Sequence, residues 1–232
     1  MQELQNIFEN LGGEFVSPLS VISEKISKVK AFIFDWDGVF NDGTKHQEYG
    51  SPFSEVDAMG TNMLRFGYYL TQGEVPQTLI ISGEQNQSAT TLATRERFNA
   101  FYSRSKNKVV ALKHFVETTG IQPEEICFFF DDILDLSLAK EVALNIQIGH
   151  PAKPLFSQYV EANKMVDYIT GNPGGQGGVR EAVEMLLGVQ GVHDLVVEKR
   201  VAFEGPYAAY LEKRQAQETT FYTYSEGQII QQ

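Results

Sequence analysis

Three mainly apolar runs in this chain are each followed directly by a polar residue, and no other sequence feature constrains the fold as strongly. The runs are Lys30–Phe34, Thr78–Ile81 and Ile126–Phe130. A continuous apolar run of this length is typical of a parallel strand that is buried on both faces. Helical segments lie between the runs, and strands that alternate with helices predict a parallel sheet with right-handed crossovers. The sequence therefore predicts an α/β fold.

The composition excludes several classes of protein. The chain has 232 residues, of which 42% are hydrophobic, and a formal net charge of −11. This is apolar enough to exclude disorder throughout, and the acidic balance argues against nucleic acid as a partner. No stretch approaches the roughly 20 apolar residues that a membrane span needs, and the N-terminus does not resemble a secretory signal. We therefore expect a cytoplasmic protein with no membrane partner.

The chain divides into three predicted segments. Residues 1–29 are expected to form a helical N-terminal extension. Residues 30–188 are expected to form the core, with a small β-hairpin insert at about 44–57 around the turn signal Gly50-Ser51-Pro52. Residues 189–232 are rich in Gln, Glu and Tyr without sustained periodicity, and we expect a C-terminal tail that packs on the core or on a partner subunit.

Polar side chains follow the predicted strands at the points where ligands gather in an open parallel sheet. Lys108, at the start of a predicted helix, adds one amine. The residues collected in this way are Asp35, Asp37, Ser82, Lys108, Asp131, Asp132 and Asp135. Carboxylates that crowd together repel one another unless a cation lies among them, and oxygen ligands with room for water and phosphate suit Mg²⁺.

The spacing of the first pair of carboxylates has a chemical consequence. Residues i and i+2 of an extended segment point the same way, so Asp35 and Asp37 can face one site across Trp36. Gly38 then permits a sharp change of backbone direction. One carboxylate can act as a nucleophile and the other as a proton donor.

These residues resemble the motifs of the haloacid dehalogenase superfamily. Phe32–Gly43 (FIFDWDGVFNDG) is similar to its first motif, Ser82 to the second, Lys108 to the third, and Asp131-Asp132-x-x-Asp135 to the fourth. The resemblance covers about residues 30–188 and implies a Rossmann-like three-layer α/β/α sandwich. It also implies a phosphatase that works through an aspartyl-phosphate intermediate on a small phosphorylated metabolite, such as a sugar phosphate.

The resemblance implies a role for each residue. Asp35 would be the nucleophile, Asp37 the general acid and base, Lys108 a neutralising cation and Ser82 a donor to the phosphoryl group. Mg²⁺ would be held by Asp35, by the backbone carbonyl of Asp37 and by Asp131. A supporting position around the metal and the amine is implied for Asp132 and Asp135.

The short hairpin region and the lack of a large insert resemble the capless subgroup typified by 3-deoxy-D-manno-octulosonate 8-phosphate phosphatase. The segments Pro52–Gly60 and Tyr168–Leu187 are also similar to that subgroup. Its members are tetramers whose hairpins close a neighbour's site, so a homo-oligomer is implied. The glycine-rich loop before Val179 would border the site, with Gly83 and Arg180 as substrate contacts.

The chain departs from this subgroup at three positions, which carry Val56, Glu84 and Phe130. The first two replace arginines of the kind that bind an anionic sugar acid. A degenerate member with a binding or scaffold role is therefore one alternative. A receiver-type signalling domain is another, although the order of the motifs disfavours it.

Overall fold

The computed structural model describes residues 2–48 and 50–232. Its helices alternate with strands over most of the chain. The helices are α1 Gln2–Asn10, α2 Leu19–Ile26, α3 Glu55–Gln72, α4 Gln87–Glu96, α5 Lys108–Thr119, α6 Leu136–Ala139, α7 Pro154–Ala162, α8 Gly178–Val189, α9 His193–Ala202 and α10 Pro206–Gln215. None of the helices in the described part of the chain combines the length and the apolar character that a bilayer span requires.

Nine strands of the described residues form one sheet. They are β1 Glu14–Phe15, β2 Ala31–Phe34, β3 Gln77–Ile81, β4 Ala100–Ser103, β5 Ile126–Phe130, β6 Leu144–Gln147, β7 Tyr168–Ile169, β8 Thr220–Ser225 and β9 Gln228–Gln231. Their order is β1-β7-β6-β5-β2-β3-β4-β8-β9. The strands from β7 to β8 are parallel, and only the edge strands β1 and β9 are antiparallel.

Each face of the sheet is covered by its own apolar core. Strand β2 shows the division, because Phe32 and Phe34 point into one core while Ile33 points into the other. The first core is closed mainly by α2, α3, α4, α8 and α10, and the second by α5, α6 and α7. Full burial of each aromatic side chain contributes about 2–3 kcal/mol. The predicted three-layer α/β/α sandwich is confirmed.

The insert after β2 is small. One antiparallel bridge joins His46 to Gly50. The predicted hairpin insert does not extend as strand to residue 57, because the Ser54 side chain accepts a hydrogen bond from the Val56 backbone N–H and caps α3, which begins at Glu55. Tyr49, which ends the first expected strand, lies outside the described residues. The chain therefore has a short bridged turn, and no large insert, between β2 and α3.

The two terminal segments both pack on the core. The N-terminal segment contains α1 and α2, and β1 pairs with β7. Residues 189–232 are more regular than the expected tail: α9 and α10 pack beside α3, and β8 extends the sheet by pairing with β4. The alternation of Thr220–Ser225 (TFYTYS) is the signal that indicates this strand.

Candidate active site

The candidate site lies at the carboxyl ends of the central strands. The chain runs from β2 outward to β4 and then crosses back to β5 on the other side of β2, so the order reverses between β2 and β5. A ligand crevice forms at such a reversal in open α/β sheets. Asp35 directly follows β2 and Asp131 directly follows β5. The topology itself therefore places these two carboxylates side by side.

Lys108 joins the first and fourth motifs. It is the first residue of α5, is buried, and forms ion pairs through its Nζ with Asp35 Oδ1 and Asp135 Oδ1. Burial raises the pKa of Asp35 well above its ordinary value, and the charge of Asp135 raises it further while Lys108 opposes the shift. Burial alone would lower the pKa of Lys108, but the two carboxylates outweigh it and the pKa rises. This buried amine stays charged at neutral pH.

Asp131 is held by a lysine that the sequence did not indicate. Lys153, which precedes α7, forms ion pairs with Asp131 Oδ2 and, at 2.9 Å, with Asp132 Oδ2. Burial raises the pKa of Asp131 to about 6, against the opposing charge of Lys153. Lys153 is partly exposed and reaches the site from the loop after β6. The long side chain of Lys153 therefore places a positive charge beside the buried carboxylate of Asp131.

Carboxylate oxygens of Asp35, Asp131 and Asp135 lie within 4.8 Å of one another. This donor set is hard and anionic, as Mg²⁺ requires. Gly38 has φ +83°, and a Cβ at that position would overlap the Asp131 carboxylate, so glycine leaves the space that this carboxylate occupies. The residues present therefore fit a divalent cation. The Asp37 carboxylate is not part of this cluster, so the predicted use of its backbone carbonyl stays a prediction.

The Asp37 side chain is fixed by other partners. The buried Ser51 hydroxyl donates a 2.5 Å hydrogen bond to Asp37 Oδ1, and Lys45 Nζ lies 3.3 Å from Asp37 Oδ2. Both partners come from the bridged insert. No sequence motif indicates Ser51 or Lys45, and only the position of the insert next to the first motif points to them.

The fourth motif is braced by its last residue. Asp135 Oδ2 accepts hydrogen bonds from the backbone N–H groups of Asp131 and Asp132, at 3.2 and 3.1 Å. The Asp132 side chain accepts a 2.7 Å bond from the Ile133 N–H. These contacts hold the loop after β5 in a shape that points Asp131 into the cluster.

The remaining predicted residues divide into two groups. Gly83 lines the cavity, and Ser82 is fully buried next to it, with its Oγ accepting a 3.3 Å bond from the Glu84 N–H. Arg180 does not line this cavity; its Nε donates to Glu184 at 2.7 Å, and its backbone N–H donates to Asp57 Oδ1 at 3.0 Å. A substrate contact by Arg180 stays a prediction.

A cavity of about 730 Å³ opens above the carboxylates. Besides the motif residues, its lining includes Lys45, Glu84, Lys106, His150 and Lys153. The side chain of Phe130 does not reach it, because Phe130 stacks on Phe128 in the second core. The bulky residue before Asp131 is therefore accommodated without filling the site.

Comparison with known proteins agrees with this geometry. The chain is 27% identical over 175 residues to 3-deoxy-D-manno-octulosonate 8-phosphate phosphatase of Escherichia coli, a match that covers 75% of this chain and 87% of the relative. A probable YrbI family phosphatase of Pseudomonas syringae has a similar structure, with TM-score 0.64, 26% identity and coverage of 80% and 99% of the two chains. In sequence and in fold the chain is similar to phosphatases and hydrolases of the haloacid dehalogenase superfamily.

A further solved structure has the same fold. The 3-deoxy-D-manno-octulosonate 8-phosphate phosphatase of Moraxella catarrhalis, in a complex with a magnesium ion, a phosphate ion and KDO, has TM-score 0.64 and 24% identity, and the match covers 77% of this chain and 97% of that one. No protein-family model matches the chain. The superfamily prediction made from the four motifs is confirmed by these relatives.

Proposed function

We propose that this protein is a Mg²⁺-dependent phosphomonoester hydrolase that acts through an aspartyl-phosphate intermediate. One observation carries the proposal: the carboxylates of Asp35 and Asp131 meet at the point where the strand order reverses, with the buried amine of Lys108 on Asp35. Phosphoryl transfer depends on positioning and on charge stabilisation, and this arrangement supplies both.

The metal would be held by Asp35, by Asp131 and by the backbone carbonyl of Asp37. When bound, Mg²⁺ offsets the repulsion between the carboxylates and the phosphate and polarises the phosphoryl oxygens. The solved relative that contains a magnesium ion supports this assignment. Asp132 and Asp135 serve as supporting residues, since their bonds shape the loop that presents Asp131.

Asp35 acts as the nucleophile. Its carboxylate oxygen attacks the phosphorus atom, and the bond from phosphorus to the leaving oxygen breaks. Lys108 holds Asp35 in place and neutralises charge on the phosphoryl group, because its amine is buried and remains protonated. The Ser82 hydroxyl donates a hydrogen bond to a phosphoryl oxygen, and the backbone of Gly83 contacts the substrate from the cavity wall.

Asp37 moves the protons. Asp37 protonates the leaving oxygen and then takes a proton from the water that attacks the aspartyl phosphate, so Asp37 regains the proton that it gave. The hydrogen bond from Ser51 and the nearby Lys45 amine fix its orientation. The insert therefore contributes to catalysis by positioning the acid.

The substrate is a small phosphorylated metabolite, such as a sugar phosphate. The cavity of about 730 Å³ is of the size that binds small ligands, and lysines 45, 106 and 153 surround the carboxylates. The names of the relatives support a sugar-acid phosphate. Glu84 at the cavity wall favours instead a substrate whose remainder is neutral or polyhydroxylated, because it repels a carboxylate. A tetramer and a cytoplasmic location belong to this proposal as predictions.

Turnover tests the proposal directly. We expect the full chain to hydrolyse p-nitrophenyl phosphate with Mg²⁺ and to lose this activity in EDTA. A panel of neutral sugar phosphates, sugar-acid phosphates and nucleotides then ranks substrates by kcat/KM. Absence of hydrolysis across the panel with saturating Mg²⁺ contradicts the function.

A binding or scaffold role is the second candidate, and Lys153 is the observation that favours it. An ammonium group that pairs with both Asp131 and Asp132 can substitute for a metal ion in neutralising them. A chain that fails to bind Mg²⁺ in calorimetry would favour this role over hydrolysis.

A further inference from the structure

A second cavity lies between the Rossmann-like core and the C-terminal segment. It has a volume of about 210 Å³, is formed by residues of α3, α4, α9 and α10, and shares no lining residue with the larger cavity. Its size is below the roughly 300 Å³ of the smallest drug-sized pockets, so its ligand is small.

Three arginines line this cavity: Arg95, Arg200 and Arg214. Two of the arginines form ion pairs with carboxylates of the same cavity. Arg95 forms a two-pronged ion pair with Glu55 and a 3.1 Å contact with Glu96, and Arg214 donates to Glu96 at 2.9 Å. The lining therefore has three cations and two anions, an excess of positive charge in a chain whose net charge is −11.

Arg200 supplies the excess charge. Its guanidinium lies 4.4 Å from the ring centre of Tyr207 and 5.2 Å from that of Phe203, and no carboxylate of the described residues pairs with it. Aromatic rings hold a guanidinium in place by its face and leave its N–H edge free for hydrogen bonds. The N–H groups of the Arg200 guanidinium are therefore held in place without a carboxylate to accept their hydrogen bonds.

Buried polar atoms without partners are a second, independent sign. Within the described residues, the Nε of Arg200, the Nε of Arg214 and the Oδ1 of Asn62 are buried and make no hydrogen bond. All three residues line the cavity, and Asn62 and Arg214 are themselves more than nine-tenths buried. Buried donors and acceptors of native proteins are nearly always paired, so these three atoms indicate that the chain alone does not satisfy the polar lining of this cavity.

We propose that this cavity binds a small oxyanion, a phosphate group, through Arg200 and Arg214. Guanidinium groups match the geometry of such anions with two parallel hydrogen bonds. The unpaired Oδ1 of Asn62 can accept a hydrogen bond from a hydroxyl, which fits a ligand that carries a protonated oxygen beside its charged ones. Monohydrogen phosphate and a phosphorylated hydroxy compound share this chemistry.

Occupancy also has a structural consequence. The two arginines belong to α9 and α10 and the asparagine belongs to α3, so an anion bound to all three connects the C-terminal segment to the core. A ligand that binds only the folded state stabilises it, and the melting temperature rises with ligand concentration.

Calorimetric titration of the full chain with inorganic phosphate tests the proposal. The experiment is done in EDTA, because without a metal the seven carboxylates that line the larger cavity outnumber its four lysines and repel phosphate. Arg200→Gln removes the free cation without breaking an ion pair. Lys199→Gln is the matched control, since it removes the same charge from the neighbouring position of α9, outside the cavity.

We expect one phosphate site in the wild-type chain, at least tenfold weaker binding in Arg200→Gln, and less than a twofold change in Lys199→Gln. The phosphate-induced rise in melting temperature should disappear in Arg200→Gln alone. Arg200→Lys, which keeps the charge but loses the planar donor edge, should bind with intermediate affinity. Glucose 6-phosphate, set against inorganic phosphate, distinguishes a phosphorylated metabolite from the free ion by which one binds more tightly.

Equal phosphate affinity in the wild type and Arg200→Gln would overturn the proposal, as would binding that the Lys199→Gln control weakens to the same extent. So would a concentration-dependent oligomer that Arg200→Gln dissociates without any phosphate effect, because the arginine would then pair with a carboxylate of a second copy. Circular dichroism of each variant shows whether the fold is retained.

Discussion

The Nζ of Lys153 forms an ion pair with Asp131 Oδ2 at the end of β5, the strand that pairs with the one leading to Asp35. The same amine contacts Asp132 at 2.9 Å. A metal ion that binds Asp131 must compete with this ammonium group. The relationship makes Lys153 a built-in competitor for the cation site.

Lys153→Gln should therefore tighten Mg²⁺ binding. The Lys153 side chain is 24% exposed, so we expect a gain of about 1 kcal/mol, which is about fivefold in Kd. Calorimetric titration of Mg²⁺ without substrate measures it. Lys106→Gln is the control. Lys106 lies on the cavity wall, but its Nζ pairs with Glu84 at 3.9 Å and not with Asp131, so this change should leave the Kd for Mg²⁺ nearly unchanged. Weaker Mg²⁺ binding in Lys153→Gln would contradict the competition.

Asp37→Asn should abolish most of the turnover and leave Mg²⁺ binding intact. Loss of a general acid typically lowers the rate by about 10²–10⁴-fold. The carboxylate cluster of Asp35, Asp131 and Asp135 does not include the Asp37 side chain, so the cation keeps its ligands. Steady-state hydrolysis and calorimetry measure the two effects.

Asp42→Asn is the matched control for this substitution. Asp42 lines the same cavity, but its carboxylate accepts a 2.9 Å bond from the Thr44 N–H and contacts none of the catalytic side chains. We expect less than a threefold change in kcat. Hydrolysis by Asp37→Asn at the wild-type rate would refute the assigned proton transfer.

Lys108→Met should destabilise the metal-free protein. It leaves Asp35 and Asp135 buried without their cation, and loss of one partner of a buried ion pair costs about 3–5 kcal/mol. Because Mg²⁺ supplies replacement charge, its addition should recover part of the loss. Urea unfolding in EDTA and in Mg²⁺ measures both.

Lys106→Met serves as the comparison, because Lys106 is mostly exposed and should cost less than about 1 kcal/mol. If Lys108→Met were no less stable than Lys106→Met in EDTA, the buried amine would not be neutralising the two carboxylates.

Asp57 predicts a pH dependence of stability outside the active site. Its buried carboxylate accepts a 3.0 Å bond from the Arg180 N–H at the start of α8, and burial raises its pKa to about 6. An unfolded Asp has a pKa of about 4, so from pH 4 to pH 6 the folded state keeps a proton that the unfolded state has lost. The contribution of Asp57 to stability therefore falls as the pH rises through this window.

Asp57→Asn removes this titration. The free energy of unfolding of the variant, minus that of the wild type, should rise by about 2–3 kcal/mol between pH 4 and pH 7. Urea titrations in EDTA across this range measure the difference. Glu198→Gln, an exposed change on α9, should give a flat difference. A flat difference for Asp57→Asn as well would show that the carboxylate has an ordinary pKa.

Much of the fold could be predicted because the central strands are buried on both faces. Ile126–Phe130 is apolar at every position, and such runs identify a strand without reference to its neighbours. Strand β8 was missed because it lies near the sheet edge and is only half-buried, so its polar positions resemble a loop. Helix α7 was missed for a similar reason, since Val160 is its only fully buried residue among those described.

The candidate site was predicted where the strands carry residues to a common edge, and missed where a loop brings them there. Asp35, Lys108 and Asp131 follow or precede regular elements whose ends meet in a parallel sheet. Lys153 and Ser51 reach the site from loops, and the path of a loop depends on packing that no local pattern encodes. The bond between Asp57 and the Arg180 N–H joins residues 123 positions apart and has no sequence signal.

The central claim is that Asp35 becomes phosphorylated during turnover, and chemical trapping tests it most directly. Borohydride reduces an aspartyl phosphate to homoserine, which peptide mass spectrometry can locate. In a reaction with p-nitrophenyl phosphate and Mg²⁺, we predict homoserine at position 35 in the wild type and none in Asp35→Asn or in EDTA. Sustained hydrolysis with no label at position 35, or with the label at another carboxylate, would contradict the account.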